Sequence, residues 1–203
     1  MDGVLVDSSR SRPVFKKLLF EKAGYSEIDD DLLEDASTPI QQIITEVLAR
    51  KNITSRDAID KIFKMVEDGD FRDDIKHLYK FPDGLIEVLE QLKKHYKLGV
   101  VTSREAMGVD EIFKIKDFRN YFEVIVKYND SSNHKPHPEP LLIACEKLFV
   151  QPENTVYIGD MESDLMAAYN ANMHFVHYSS EEFNPLKHKV QYFSQLPDAI
   201  KSI

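Results

Sequence analysis

The chain has 203 residues, of which 42% are hydrophobic and 30% are charged, and its formal net charge at pH 7 is −9. These values are ordinary for one large domain or one domain carrying an insertion, and the acidic balance argues against a nucleic-acid partner, which requires a basic face. The single cysteine, Cys145, excludes an internal disulfide and is typical of a reducing cytoplasm. No apolar run is long enough to cross a bilayer, and the first residues lack the pattern of a secretion signal. We therefore expect a soluble cytoplasmic protein with no membrane partner.

Residues 13–79 have the apolar spacing of successive helices and contain no convincing strand. Pro13 suits a first helical turn, and Gly24 and Gly69 suit the ends of helices. The apolar positions at helical spacing are Val14, Phe15, Leu18 and Leu19, then Ile40, Ile43, Ile44, Val47 and Leu48, then Ile59, Ile62, Phe63 and Val66, and finally Phe71, Ile75, Leu78 and Tyr79. The acidic residues between Glu27 and Asp35 have no fixed spacing and are interpreted as a solvated loop and helix start. A helical bundle is the prediction for this segment.

After the turn signal at residues 81–84, short apolar strands alternate with helices. Strands are predicted at 98–101, 124–126, 155–158 and 175–178, and a helical pattern separates each from the next. This alternation predicts an α/β fold with a parallel sheet that is covered on both faces. In such sheets ligands bind beyond the carboxyl ends of the strands, so the residues that follow the strands are candidates for a site.

Carboxylates follow the third predicted strand and also lie at the start of the chain. Asp160 and Asp164 come after the strand at 155–158, and Asp2 is the second residue. Together they would make a hard oxygen site suited to Mg²⁺. The alternative is that Asp160 or Ser163 only caps the next helix.

Thr102 and Lys135 are candidates for binding a phosphoryl group. Thr102 ends a strand, so its hydroxyl and the N–H of Ser103 could point at an anion. Arg104 could approach a substrate but is interpreted as a surface residue. Lys135 lies in the run His-Lys-Pro-His-Pro-Glu-Pro, whose prolines restrict the loop. Its ammonium could neutralise phosphate oxygens, while the neighbouring histidines lack the partners of a zinc site. These residues suit phosphoryl transfer, except that a nucleophile is missing.

Four separated elements resemble the motifs of one family in order. Residues 2–8, Asp-Gly-Val-Leu-Val-Asp-Ser, resemble the end of an aspartate-nucleophile signature, and Thr102, Lys135 with Pro136, and Gly159-Asp160 with Asp164 follow as the other three. The chain therefore resembles the haloacid dehalogenase-like superfamily, in its phosphoglycolate phosphatase and β-phosphoglucomutase-like branch. The resemblance implies a Rossmann-like core domain at 1–12 and 80–203, with a helical cap domain inserted at 13–79.

The resemblance also implies a role for each matching residue. Asp2 would be the general acid and base, and its carbonyl would ligate Mg²⁺. Thr102, with Ser103, would bind the phosphoryl group, and Lys135 would balance charge around it. Asp160 would ligate Mg²⁺ and Asp164 would support the metal. The implied function is a Mg²⁺-dependent phosphatase that hydrolyses a small phosphorylated metabolite through an aspartyl-phosphate, with a β-phosphoglucomutase-like phosphomutase as the alternative.

The nucleophilic aspartate of the resembling family would stand directly before Met1, at the end of a central strand. Loss of that strand would leave backbone groups of both neighbours unpaired, at about 1–3 kcal/mol for each buried group. Several such groups would cancel a typical folding margin of about 5–15 kcal/mol. We hypothesise that the natural chain has further upstream residues ending in an aspartate. A catalytically inactive relative that binds phosphorylated ligands or a protein partner is the alternative.

Overall fold

The computed structural model describes residues 1–34, 38–69, 72–178 and 189–203. The chain divides into two compact units, of which one is Met1–Asp7 with Lys80–Ile203 and the other is Ser8–Tyr79. Asp7 and Lys80 form an antiparallel bridge in which the two N–H···O distances are 2.7 and 3.1 Å. The division between the two units follows Asp7, and the cap domain at 13–79 that the resemblance implies stays a prediction.

Ser8–Tyr79, which we call the helical unit, contains α1 (Ser11–Ala23), α2 (Asp30–Glu34), α3 (Ile40–Arg50), α4 (Arg56–Asp68) and α5 (Arg72–Ile75), with a 3₁₀ turn at Lys76–Leu78. Its described residues include no strand, as the sequence predicted. Gly24 and Gly69 end α1 and α4 in the left-handed conformation, with φ of 95° and 70°. Asp35 and Phe71, which the sequence placed in the acidic segment and in the last helical stretch, lie outside the described residues.

The helical unit has its own apolar core. The core residues lie on α1 to α4, and the predicted inward positions supply most of them: Leu19, Phe20, Ala23, Leu32, Ile43, Ile44, Val47, Leu48, Ile62 and Val66. Lys16 is also buried, and its ammonium donates to the carbonyls of Leu32 and Leu33 at 2.7 and 3.1 Å. These carbonyls lie in the last turn of α2, where a helix leaves its carbonyls without intrahelical partners.

Part of the acidic segment forms ion pairs with Arg50. The guanidinium of Arg50 lies 2.8 Å from the carboxylate of Asp29, 2.9 Å from that of Asp31 and 2.6 Å from that of Glu46. The side chains are 38% to 64% exposed, so this network is a solvated one, in agreement with the interpretation of the sequence.

Met1–Asp7 with Lys80–Ile203, which we call the α/β unit, alternates helices and strands as the sequence predicted. Its elements are α6 (Leu85–Lys93), β1 (Gly99–Val101), α7 (Ala106–Ile115), β2 (Val124–Val126), α8 (Glu139–Leu148), β3 (Val156–Gly159), α9 (Glu162–Asn170), β4 (His174–Tyr178), β5 (Lys189–Val190) and α10 (Leu196–Lys201). All the pairings between named strands are parallel. The α/β fold class is therefore confirmed.

The strands form two separate sheets, where the sequence predicted one. β1 pairs with β2 from Gly99↔Val124 to Val101↔Val126, and β3, β4 and β5 form a second sheet in that order. Within the described residues, β1 and β3 are each paired along one edge only.

Small side chains allow α8 and α9 to pack closely on the strands. One buried cluster contains residues of both strands and both helices. Its members are Val101 of β1, Val126 of β2, Leu141 and Ala144 of α8, Ala167 and Ala168 of α9, and Ala171 just after α9. This packing fixes the carboxyl ends of the strands, from which the candidate site is built. In the ranges that the structure describes, helices of the length and apolarity needed to cross a membrane are absent.

Candidate active site

The first six residues fold into a tight loop around the carbonyl of Met1. That carbonyl accepts hydrogen bonds from the N–H groups of Val4, Leu5 and Val6 at 3.3, 2.8 and 3.1 Å, while the N–H of Gly3 donates to Val6 at 2.9 Å. Gly3 has φ of 69°, a left-handed conformation that disfavours other residues. The loop thereby holds Asp2 and Gly3 in fixed positions.

Asp160 lies directly against this loop. A Cβ atom on Gly3 would be 1.9 Å from Oδ2 of Asp160, so only glycine leaves room for the carboxylate. Asp160 comes directly after β3, and the contact brings the start of the chain to the carboxyl end of that strand. Two of the residues that the sequence singled out, Asp2 and Asp160, are thus on adjoining segments.

Asp2 is held by Arg104. The guanidinium donates through Nε to Oδ2 at 2.7 Å and through an Nη atom to Oδ1 at 2.6 Å, and the two side chains are only 18% and 13% exposed. This is the two-pronged, charge-assisted geometry that arginine forms best with a carboxylate. The interpretation of Arg104 as a surface residue is therefore wrong. The position of Arg104 just after β1, close to Thr102, is the sequence signal that could have identified it as a site residue.

Thr102 and Ser103 follow β1 at the same edge. The Thr102 side chain is buried, its N–H donates to the carbonyl of Val126 at 2.9 Å, and its hydroxyl accepts from the N–H of Arg104 at 3.2 Å. Ser103 is exposed. The hydroxyl of Thr102 therefore lies next to the residue that binds Asp2.

Lys135 and Asp164 form a buried ion pair. The ammonium donates to Oδ1 of Asp164 at 2.6 Å and to the hydroxyl of Tyr157 at 3.2 Å, with exposures of 14% for Lys135 and 6% for Asp164. Burial opposes the charge on Lys135, but Tyr157 and Asp164 outweigh it and raise the pKa of its ammonium. Burial likewise opposes the charge on Asp164, but Lys135 outweighs it and lowers the pKa of this carboxyl. Both groups therefore keep their charges at neutral pH.

Tyr157 is a site residue that the sequence did not reveal. It lies in β3, where an aromatic side chain is normally a core residue, yet its hydroxyl lies 3.3 Å from Oδ1 of Asp164 and its ring centroid 5.7 Å from the Lys135 ammonium. Burial, partly offset by Lys135, raises the pKa of Tyr157 to about 12. The phenol therefore remains protonated and can donate a hydrogen bond to the carboxylate.

Asp164 is also held by the backbone that follows β3. Its Oδ2 accepts from the N–H groups of Asp160 and Met161, both at 3.3 Å. A Cβ atom on Gly159 would lie 2.4 Å from the Cβ of Asp164, so glycine is needed at the end of the strand. The spacing Gly-Asp-x-x-x-Asp thus folds Asp164 back over the end of β3.

Glu139 organises the loop that carries Lys135. Its carboxylate accepts from the N–H groups of Ser132 and Asn133 at 2.8 and 3.0 Å, and from the Asn133 amide at 2.6 Å. These hydrogen bonds, first that from Ser132, lower the pKa of Glu139. His134 stacks on Tyr128 with a centroid distance of 3.9 Å. The sequence identified the three prolines of this loop but not the role of Glu139.

The oxygen atoms at this edge are compatible with Mg²⁺. Magnesium commonly takes one or two carboxylates and keeps several waters. Asp160 presents its carboxylate over Gly3, next to the backbone of Asp2, whereas Asp2 and Asp164 bind Arg104 and Lys135. Among the described residues, no group of three or more acidic, histidine or cysteine side chains is arranged to hold a metal ion. Carboxylate and carbonyl oxygens suit magnesium better than zinc, which favours nitrogen and sulfur ligands.

The fold and the position of the site define the class of protein. It is a parallel α/β protein whose polar side chains gather beyond the carboxyl ends of β1 and β3. The sequence model of the haloacid dehalogenase-like hydrolases matches residues 1–178. The chain belongs to the haloacid dehalogenase-like hydrolase family, which confirms the resemblance inferred from its motifs.

Two relatives that share sequence with this chain carry the name Pyrophosphatase PpaX. The chain is 38% identical over 86 residues to Pyrophosphatase PpaX of Bacillus mycoides, a match that spans 42% of this chain and 40% of that protein. It is 24% identical over 190 residues to Pyrophosphatase PpaX of Oceanobacillus iheyensis, spanning 92% of this chain and 85% of that protein. The more similar match thus covers less than half of the relative's length.

Solved structures share the fold over nearly the whole chain. A predicted phosphoglycolate phosphatase from Haemophilus somnus superposes with a TM-score of 0.80 at 19% identity, covering 98% of this chain and 94% of that one. A β-phosphoglucomutase from Clostridium difficile superposes with a TM-score of 0.76 at 21% identity, covering 99% and 94%. At these identities the similarity establishes the fold alone.

Proposed function

We propose that this chain is a Mg²⁺-dependent phosphatase that hydrolyses a small phosphorylated metabolite through an aspartyl-phosphate intermediate. One observation carries the proposal: residues far apart in sequence meet as charged pairs at one edge of the α/β unit. Asp2 and Arg104 are 102 positions apart, and Lys135 and Asp164 are 29 apart. Desolvated charges that stabilise one another in this way are typical of sites where charge develops during a reaction.

Lys135 and Thr102 would hold the transferring phosphoryl group. The Lys135 ammonium remains charged, and Asp164 and Tyr157 fix its position, so it can face phosphate oxygens without reorganising. The buried hydroxyl of Thr102 can donate to another phosphate oxygen, and the N–H of Ser103 follows it at the same edge.

Asp160 and the backbone carbonyl of Asp2 are the proposed ligands of Mg²⁺. When bound, the metal would neutralise negative charge on the phosphoryl oxygens. Asp164 would serve this arrangement indirectly, because its Oδ2 fixes the backbone N–H of Asp160 while its Oδ1 binds Lys135.

Asp2 is the proposed proton carrier. The carboxylate of an upstream aspartate would attack phosphorus, and Asp2 in its acid form would protonate the leaving oxygen. Asp2 would then take a proton from the water that cleaves the acyl phosphate and restores the nucleophile. The bidentate bond to Arg104 occupies both Asp2 oxygens, so Asp2 must separate from Arg104 before it can face a substrate.

A set of matched proteins tests this mechanism. The chain of 203 residues, the same chain extended through an upstream apolar strand and aspartate, and the extension with asparagine in place of that aspartate would be assayed for phosphate release with Mg²⁺. The panel should contain small phosphate esters and, because of the named relatives, pyrophosphate. We expect turnover from the aspartate extension alone. Equal activity in all three proteins would contradict the aspartyl-phosphate mechanism, and inactivity of all three would favour an inactive binding protein.

A phosphomutase is the second candidate, because the fold is similar to that of a β-phosphoglucomutase. Inorganic phosphate as the product supports the phosphatase, whereas conversion of a sugar phosphate to its isomer without phosphate release supports the mutase.

We retain the cytoplasm as the proposed compartment, since Cys145 is the only cysteine in the sequence and is a free thiol.

A further inference from the structure

Lys135 is carried by a segment of turns and bends that contains neither a helix nor a strand. This segment runs from the 3₁₀ turn at Tyr128–Asp130 to the start of α8. Thr102 and Asp160 directly follow strands that are paired in a sheet, but sheet pairing does not extend to Lys135. The position of its ammonium therefore depends on the contacts that hold the segment.

The carboxylate of Glu139 closes this segment into a ring around Lys135. Its Oε1 accepts from the N–H of Ser132 at 2.8 Å, and its Oε2 accepts from the N–H and the side-chain amide of Asn133 at 3.0 and 2.6 Å. Both donor residues precede Lys135 and Glu139 follows it, so these hydrogen bonds span the lysine. They also lower the pKa of Glu139, first through the N–H of Ser132, so the carboxylate is ionised at neutral pH.

A second, smaller ring lies inside the first. The N–H of His137 donates to the carbonyl of His134 at 2.9 Å, which closes a turn around Lys135 and Pro136. The N–H of Glu139 donates to Nδ1 of His137 at 3.2 Å, so Glu139 holds this turn through its backbone as well. Glu139 is therefore hydrogen-bonded to residues on both sides of Lys135.

The other end of Lys135 is fixed by the α/β unit. Its ammonium donates to Asp164 at 2.6 Å and to Tyr157 at 3.2 Å. An ammonium has three N–H donors, and within the described residues these contacts use two of them, so the third can bind a ligand oxygen. A shift of about 1 Å in a group that positions a substrate can reduce turnover about 100-fold. The direction of this donor therefore depends on a backbone that Glu139 holds.

We propose that Glu139 is a positioning residue that directs the Lys135 ammonium and thereby sets the affinity of the site for a phosphoryl group. The effect on phosphoryl binding rests on the proposed function, whereas the effect on the position of Lys135 does not. A purely local role is the alternative, because an acidic residue in the first turn of a helix stabilises that helix. This alternative predicts a less stable α8 with Lys135 unmoved.

The rate at which acetic anhydride acetylates Lys135 reports the position of the ammonium directly. The side chain is only 14% exposed and is bound to Asp164, so it should react slowly in the unmodified chain. Peptide mass spectrometry would measure the rate at each lysine. We expect Glu139→Ala to raise the rate at Lys135 at least tenfold. Glu139→Gln keeps one acceptor oxygen and should raise it about threefold.

Asn133→Ala is a milder variant, because it removes one of the three donors at an exposed position. It should raise the rate at Lys135 about threefold. Denaturant unfolding would verify that each variant folds. An unchanged rate at Lys135 in Glu139→Ala, or in Asn133→Ala if Glu139→Ala does not fold, overturns the proposal.

Two controls separate this effect from a general loosening of α8. Glu146→Ala removes an exposed carboxylate from the same helix and should change the rate at Lys135 less than twofold. Lys147, also exposed on α8, should react within twofold of its usual rate in every variant. An increase at Lys135 in Glu146→Ala as large as in Glu139→Ala overturns the proposal.

Inorganic phosphate measures the consequence for ligand binding. Calorimetric titration with phosphate in the presence of Mg²⁺ should give a dissociation constant at least tenfold larger in Glu139→Ala and within twofold in Glu146→Ala. Faster acetylation with unchanged phosphate affinity, or with no phosphate binding by the unmodified chain, would refute the proposed role of Lys135 and leave Glu139 as its positioning residue. Weaker phosphate binding with unchanged acetylation would overturn the positioning role.

Discussion

Lys135 and Asp164 illustrate how one pair of residues can serve both stability and function. A buried ion pair contributes little net stability when its geometry is good, because desolvation offsets attraction, but removal of one partner leaves an uncompensated charge. The pair is linked further to Tyr157 and to the backbone of Asp160. The same contacts that stabilise the end of β3 therefore fix the position of the ammonium.

Lys135→Met should lower the free energy of unfolding by about 3–5 kcal/mol, because Asp164 would be buried without its cation. The double variant Lys135→Met with Asp164→Asn should be more stable than the single variant, since it removes the second charge as well. Denaturant unfolding of the single and double variants measures this coupling. Lys76→Met is the control: Lys76 pairs with Asp73 at 3.0 Å but is 56% exposed, and a change below about 1 kcal/mol is expected. A double variant less stable than Lys135→Met would show that the charge pair is not the cause.

Gly3→Ala should be far more damaging than Gly24→Ala. Both glycines have positive φ, at 69° and 95°, so each alanine costs about 1–2 kcal/mol of backbone strain. The added Cβ at Gly3 would also meet Oδ2 of Asp160 at 1.9 Å, whereas nothing lies within 4 Å of the one at Gly24. Gly3→Ala should therefore displace Asp160 and reduce phosphate release by the extended protein at least tenfold, while Gly24→Ala should change turnover less than twofold. Similar turnover in both variants would exclude Asp160 from the site.

At the scale of elements, patterns within one segment were predictable and contacts between segments were not. The four strands at 98–101, 124–126, 155–158 and 175–178 were recognised because short apolar runs alternate with helical spacing. β5 has only two residues, too few to show a period. Arg104 and Tyr157 were missed because their partners lie elsewhere in the chain. The division into two sheets was missed because sequence spacing shows how often strands occur, and not which strands pair.

The pairing of β4 with β5 gives a pH-dependent contribution to stability. His177 on β4 is buried and lies in register with Lys189 on β5. Burial, and then the ammonium of Lys189, lowers the pKa of His177, although Asp164 opposes the shift. The unfolded chain therefore binds this proton at a higher pH than the folded chain, and stability should fall as the pH decreases below about 6.5.

Denaturant unfolding at pH 7.5 and 5.5 measures this effect. The loss of stability between the two values should be larger in the unmodified chain than in His177→Gln, which cannot bind the proton. Lys189→Met should show an intermediate loss, because burial still acts on His177 after the ammonium is gone. A loss in His177→Gln as large as in the unmodified chain would assign the pH dependence to other groups.

At the scale of the whole molecule, each compact unit has its own buried cluster. The helical unit is enclosed between Ser8 and Tyr79, and the bridge between Asp7 and Lys80 belongs to the α/β unit. A segment with its own core and adjacent ends is a candidate for independent folding. We therefore expect residues 8–79, expressed alone, to be helical and to unfold cooperatively.

Two neighbouring positions of α3 test whether this folding depends on the core. Ile44 is fully buried and Thr45 is exposed, so the same change, to aspartate, places a charge either in the core or in water. An unpaired charge in an apolar core is one of the few single changes that can remove the whole folding margin of a small unit. In the fragment, Ile44→Asp should abolish the cooperative thermal transition followed by circular dichroism, and Thr45→Asp should preserve it. Loss of the transition in both variants, or its absence from the unmodified fragment, would mean that the helical core is not sufficient for folding without the α/β unit.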